Sequence, residues 1–232
     1  MKIREEGFID VKKAGKVWYS IVGNKDNVPL VALHGGPGYP HDSLEPLEDL
    51  VDDRKVIFYD QLGCGNSQKT TDKSLWTVEY FVRELKEIIK ALKLKQYHIL
   101  GHSWGAGLAV AFALTGARGL KSLILSDSLL STPYWEKDAK RLLKQLPKAM
   151  QKALREARHS SKEYKKASKE FYYRHVWRMD KLPVGGIKAH NKMNFDIYNY
   201  MWGPEEFNAS GTLKNFDLSK RNRTYPFREM VA

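Results

Sequence analysis

A chain of 232 residues, 42% hydrophobic and 12% aromatic, is long enough for one large domain or for a core carrying an insertion. Its single cysteine, Cys64, excludes an internal disulfide framework, and no apolar run of roughly 18 or more residues marks a membrane span. The net charge of +12 is uneven, with more than a third of the excess in residues 137–170. No nucleic-acid-reading motif accompanies that charge, so it reads as a solvated face, and no specific nucleic-acid or membrane partner is expected. The opening MKIREEGFIDVKK has no apolar signal core, which makes a cytoplasmic, reducing setting the expectation.

The first elements are short. GFIDVKK (7–13) and KVWYSIVG (16–23) alternate around Ala14-Gly15, which predicts an antiparallel hairpin. VPLVALHG (28–35) and KVIFYD (55–60) are continuous apolar runs, as buried parallel strands are. Between them DSLEPLEDLVDD (42–53) suits a short helix. SLWTVEYFVRELKEIIKALK (74–93) sets Trp76, Phe81, Leu85, Ile88, Ile89 and Leu92 largely on one helical face. A strand at QYHIL (96–100), an apolar helix at AGLAVAFALTGA (106–117) and a strand at LKSLILSDS (120–128) follow. Strands alternating with helices predict an α/β fold with a mostly parallel sheet covered by helices. After Leu130 the pattern turns helical and charged, in YWEKDAKRLLKQL, KAMQKALREAR and KEYKKASKEFYYRHVWRM. The expected division is a core over residues 1–130, a helical cap over 131–210 inserted after the sixth strand, and a return to the core over 211–232. The last 20 residues read as holding no buried strand.

Three motifs carry chemistry. Gly101-His102-Ser103-Trp104-Gly105 lies between a strand and a helix, the setting of a nucleophile elbow, and nominates Ser103 as catalytic. His34-Gly35-Gly36-Pro37-Gly38 follows the third strand, where a glycine-rich turn leaves backbone N–H groups free to meet a developing oxyanion. The Gly36 and Trp104 N–H groups are the candidate donors, with His34 and Gly35 beside them on the substrate side. YDQLGCGNS (59–67) reads as a structural turn in which Asp60 and Ser67 satisfy backbone groups. Nothing near Cys64 would activate it as a nucleophile.

HGGPG, YDQLGCGNS and GHSWG, in this order and spacing, together with NYMWGPEEFNASGTLKNFDLS (199–219), resemble the proline iminopeptidase family of α/β-hydrolases. The resemblance runs from about residue 7 to 219. It implies a serine hydrolase that releases N-terminal proline or another amino acid from a small peptide, amide or ester through an acyl-enzyme on Ser103. It also implies glutamates in the cap that hold the free imino group: Glu206, and its neighbour Glu205. The same pair, following Pro204, would equally suit a helix start. No metal and no organic cofactor is implied. An esterase or amidase of the same fold is the alternative activity.

The chain departs from the family at its end. By resemblance the triad acid and histidine lie past residue 219, and two strand–helix units need roughly 60 residues, whereas 13 remain. The expectation is a chain truncated at the C-terminus, lacking its last two strand–helix units and prone to self-associate through an exposed sheet edge. A catalytically impaired fragment is then a further alternative. His159, His175 and His190 are expected in surface or packing roles, His34 and His102 aimed away from the serine, and Asp127 as a cap on the turn into the insertion.

Overall fold

The computed structural model describes residues 3–12, 14–219 and 230–231. The chain opens with the predicted hairpin: β1 (Arg4–Val11) and β2 (Gly15–Val22) pair antiparallel, with Phe8 opposite Trp18. β2 then runs antiparallel to β4 (Val56–Tyr59), while β3 (Leu30–Leu33), β4, β5 (Tyr97–His102) and β6 (Leu120–Ser126) are mutually parallel. The order across the sheet is β1-β2-β4-β3-β5-β6-β7. Every residue of β3 and β4 is buried, as strands covered on both faces must be. Within the last 20 residues β7 (Met230–Val231) adds to β6 in parallel, opposite Ile124 and Leu125.

Strand alternation divides the core. Val31, Leu33, Ile57 and Ile99 face α1 (Val78–Ala91) and α2 (Trp104–Ala113). Ala32, Val56 and Phe58 face the other way, with Trp18 and Leu44. Thr77 caps α1 by accepting the Tyr80 N–H, and the helix buries Phe81, Leu85 and Ile88 as its periodicity predicts. It also buries Glu84, an acid that the apolar pattern does not anticipate. α2 is apolar all round, as a helix enclosed by sheet and cap should be. The helix expected over 42–53 is a 3-10 helix, His41–Leu50, with Pro46 inside it. Proline has no N–H for an i→i−4 bond and its ring crowds the preceding turn, which opposes an α-helix there.

The insertion after β6 comprises α3 (Thr132–Leu143), α4 (Lys148–Glu156), α5 (Lys162–Phe171), α6 (Val184–Lys192) and α7 (Phe195–Met201). Past Phe171, α5 widens into a π-helical turn, Tyr172–Trp177, so the single helix expected there changes geometry midway. The insertion's ends are stitched together: Thr132 N–H donates to Phe216 O (2.8 Å), Leu218 N–H to Leu130 O (2.8 Å), and Ser131 bridges Asp217. Ala139, Leu146, Phe171 and Phe207 form a small apolar core of the cap's own.

Candidate active site

Ser103 stands at the end of β5 and the start of α2 with φ 54° and ψ −118°, a conformation costly for a side-chain-bearing residue. Its surroundings hold it there. Its N–H donates to Ser126 O on β6 (2.9 Å), and its carbonyl accepts from Ala106 N (3.0 Å) and Leu129 N (3.2 Å). Glycine at 105 is a steric requirement, because a Cβ there would collide with the carbonyl oxygens of Leu33 and His34. The elbow helix can therefore pack directly on the loop that follows β3.

That loop lies against the serine. A Cβ on Gly35 would sit 3.3 Å from Ser103 Cβ. Gly36 takes φ +110°, open to glycine and not to other residues, and its N–H has no partner among the described residues. Nor has the N–H of Trp104, in the first turn of α2. His34 is fully enclosed. Its Nε2 accepts from Gln61 N–H (2.9 Å) and its Nδ1 meets Gly35 O (3.0 Å). The His34 ring, placed on the substrate side by the sequence, is thus engaged in holding the loop. Gln61 completes the brace, for its side chain accepts from Trp104 Nε1 (2.9 Å) and donates to His34 O (3.4 Å). One residue after β4 grips both the glycine loop and the residue following the serine.

The rest of the turn after β4 is structural. Asp60 Oδ1 accepts from the His41 backbone N–H and its ring Nδ1, each at 2.8 Å, and Oδ2 accepts from Asn66 N–H (2.8 Å). Burial alone would raise the Asp60 pKa, but these donors outweigh it and hold the carboxyl below its usual value. Ser67 Oγ donates to Asp60 O and accepts from Trp18 N–H (2.8 Å). Cys64 is fully buried, and burial pushes its thiol well above the ordinary pKa, which leaves it inert.

Glu205 and Glu206 sit among the tyrosines Tyr164, Tyr172 and Tyr198 of the cap and not at a helix start. Glu206 Oε1 accepts from Tyr198 OH (2.8 Å), and Glu206 N–H donates to Tyr172 OH (3.4 Å). Glu205 Oε2 accepts from Ser168 Oγ (3.3 Å). Burial raises the pKa of both carboxyls, and for Glu206 the neighbouring Glu205 adds to it. The indoles of Trp135 and Trp202 hold the two backbone carbonyls, at 2.8 Å on Glu206 O and 3.0 Å on Glu205 O. The glutamates are tied to the glycine loop through α7. Asn194 N–H donates to Gly38 O (3.0 Å) and its side chain to Gly63 O (2.9 Å), while Tyr198 on the same helix carries the bond to Glu206.

None of the described histidines hydrogen-bonds Ser103. His102 turns its Nε2 toward Asp127 (3.7 Å), and burial lowers its pKa despite that carboxylate. Asp127, expected to cap a turn, takes φ +46° with its side chain mostly exposed. His159 stacks on Tyr164, His175 packs on Phe171 and His190 meets Phe195 edge-on. His41, Asp42 and Glu45 bring ligand-type atoms within 4.8 Å of one another. Each is already engaged, with Asp60, Lys192 and Lys188 respectively, so two ammonium groups stand where a cation would.

The sequence reading missed Gln61, although it lies inside the YDQLGCGNS motif, and the tyrosines around the glutamates. Tyr198 adjoins the NYMWGPEEF stretch, and that adjacency was the one available signal.

A family profile described as alpha/beta hydrolase fold matches residues 28–202. The chain is 45% identical over 219 residues to a proline iminopeptidase of Heyndrickxia coagulans, covering 92% of this chain and 76% of that protein. It is 40% identical over 214 residues to a proline iminopeptidase of Clostridium botulinum, covering 88% and 73%. Among solved structures it superposes on proline iminopeptidase of Mycobacterium smegmatis with TM-score 0.85 at 34% identity, and on VinJ with TM-score 0.86 at 30%, each over 92% of this chain and 76% of the other.

Proposed function

Because this chain belongs to the proline iminopeptidase family of the α/β-hydrolases, we propose that it is a serine aminopeptidase releasing N-terminal proline, or a similar residue, from small peptides. The observation that carries the mechanism is the strained Ser103 with Gly35 packed against it, next to N–H groups at Gly36 and Trp104 that have no partner among the described residues. In this reading Ser103 Oγ attacks the scissile carbonyl, and the two N–H groups bind the oxyanion of the tetrahedral intermediate. As the C–N bond breaks the leaving amine takes up the proton given up by the Ser103 hydroxyl, and water then cleaves the acyl-enzyme ester, releasing the acid and returning a proton to Ser103 Oγ. Such donors are worth about 3–4 kcal/mol each in comparable sites, because charge develops where they already point.

Glu206 is the proposed anchor for the substrate's free imino group, with Glu205 beside it. A buried carboxylate without a cation carries a desolvation penalty, which is why both acids hold their protons more tightly than usual. A secondary ammonium beside them would relieve that penalty and favour the charged pair. Neutral acyl esters offer no such gain, which favours aminopeptidase over esterase chemistry.

The test compares prolyl-arylamide with short acyl esters, in wild type and Ser103→Ala, alongside labelling by a serine-directed phosphonate. Labelling and prolyl-arylamide turnover, both removed by Ser103→Ala, are expected. Equal turnover in the two proteins would remove Ser103 from the mechanism, and a preference for esters would remove the amine-anchor reading.

A further inference from the structure

Glu84 is a carboxylic acid where the pattern of α1 calls for an apolar side chain. It is fully buried, and Oε2 accepts the backbone N–H of Leu62 (3.0 Å), the residue next to Gln61. Oε1 is buried with no well-aligned hydrogen-bond partner among the described residues, as is the Tyr59 hydroxyl; the Tyr80 hydroxyl faces the carboxyl as a side-chain donor, favouring its charged form less than burial opposes it. The titratable groups facing it are Tyr80 on its own helix, Tyr59 on β4 and Cys64 in the turn. Asp60 and Lys69 act on the thiol, and Arg83 lies over the Tyr80 ring (5.8 Å). Each of the three nearest groups is itself held neutral by burial. No cation among the described residues pairs with Glu84.

A buried carboxyl with a backbone donor and no counter-charge is stable as the neutral acid, because ionisation would leave an uncompensated charge in a low-dielectric site. What Glu84 holds is the turn that carries Gln61, and Gln61 joins His34 in the glycine loop to Trp104 in the elbow. We propose that Glu84 is a positioning residue that works as a neutral acid: it pins the turn after β4 so that Gln61 can brace the two sides of the proposed oxyanion hole, and its ionisation, although it strengthens the bond from Leu62 N–H, leaves a buried charge with no cation and so loosens the packing beneath that brace. The proposal rests on the reading of the site for its effect on turnover, but not for the protonation state or the packing.

Burial places the Glu84 pKa at about 8 in the fold, against 4.5 for an ordinary glutamate. Between those values the folded chain holds a proton that the unfolded chain releases, so the Glu84 contribution to stability falls as pH rises from 4.5 to about 8, then levels. Glu84→Gln keeps the shape and the acceptor for Leu62 N–H and cannot ionise. Three measurements test the proposal. Infrared difference spectra should show a protonated carboxyl at pH 7 that titrates near pH 8 and is absent in Glu84→Gln. Urea unfolding from pH 5 to 9 should show a decline in wild type that is flattened in Glu84→Gln. If prolyl-arylamide is turned over, kcat should fall above pH 8 in wild type and hold in Glu84→Gln, with KM alike in both. Wild-type spectra without a protonated buried carboxyl at pH 7, or stability curves that stay parallel in the two proteins, would overturn it. If Glu84→Gln does not fold, the titration is read in Glu205→Gln/Glu206→Gln, which removes the two raised carboxyls of the cap: a protonated carboxyl that persists there at pH 7 supports the proposal, and its loss overturns it. A wild type that titrates as expected but never turns over substrate would count against the proposed reaction and leave the protonation state standing.

Discussion

At the scale of the residue, the candidate site is built from side chains whose ordinary preferences are overridden by their neighbours. Ser103 tolerates φ 54° because β6 and the start of α2 occupy its backbone groups. Glu206 tolerates burial because Tyr198 and Tyr172 supply hydrogen bonds around it. The second arrangement yields a prediction about specificity. Glu206→Gln keeps the volume and the acceptor for Tyr198 but removes the charge that would pair with a substrate ammonium. A charge-assisted hydrogen bond is worth about 1.5–3 kcal/mol, so KM for prolyl-arylamide should rise by about 10- to 100-fold. A neutral acyl ester should show no such change, and steady-state kinetics on the two substrates checks it. An equal rise for both would mean that the substitution deforms the surroundings of Glu206.

At the scale of the element, the cap is seated on the core by charge. α6 lies along the 3-10 helix 41–50, with Lys192 Nζ on Asp42 Oδ1 (2.7 Å) and Lys188 Nζ on Glu45 at 3.2 Å. Tyr39 OH adds a bond to Gly186 O (2.9 Å). The two ion pairs look alike in sequence but not in surroundings. The Asp42 side chain is 3% exposed and that of Glu45 34%. Losing Lys188 leaves a wetted carboxylate, and exposed pairs contribute about 0–1 kcal/mol. Losing Lys192 strands a buried one, whose uncompensated charge costs several times more. Lys192→Ala is therefore expected to lower stability by about 2 kcal/mol, and Lys188→Ala by less than about 0.5, as read by urea denaturation. Equal effects would show that α6 is held by its apolar contacts and the tyrosine instead.

At the scale of the whole molecule, charge and chemistry are segregated. The parallel sheet and its helices carry the elbow and the glycine loop, while much of the +12 net charge lies on the helices of the cap. Lysines there are paired along the helix, as in Lys140 with Glu136 and Lys152 with Glu156, or are solvated. A surface of this kind attracts polyanions without reading them. Retention on duplex DNA should be weak, should fall linearly with the logarithm of salt concentration, and should not depend on base sequence. Sequence-dependent binding that persists at high salt would assign the cap a recognition role that its helices give no reason to expect.

Backbone-level features were legible in the sequence because they depend on residues close along the chain. The hairpin, the buried strands β3 and β4, α1 with its apolar face, the elbow around Ser103 and the glycine loop around Gly36 each follow from local periodicity or from glycines that only a tight turn requires. The family followed from three such motifs in order. What the tertiary structure decided lies between residues far apart: His34 with Gln61 across 27 positions, Gln61 with Trp104 across 43, Leu62 with Glu84 across 22, Asp42 with Lys192 across 150. No local pattern marks Glu84 as buried or Lys192 as the partner of a buried carboxylate, since both read as ordinary charges on helices. Burial and partnership are properties of the packed chain, and they turn a surface-like glutamate into a proton-holding support and a loop glutamine into a brace for the candidate oxyanion hole.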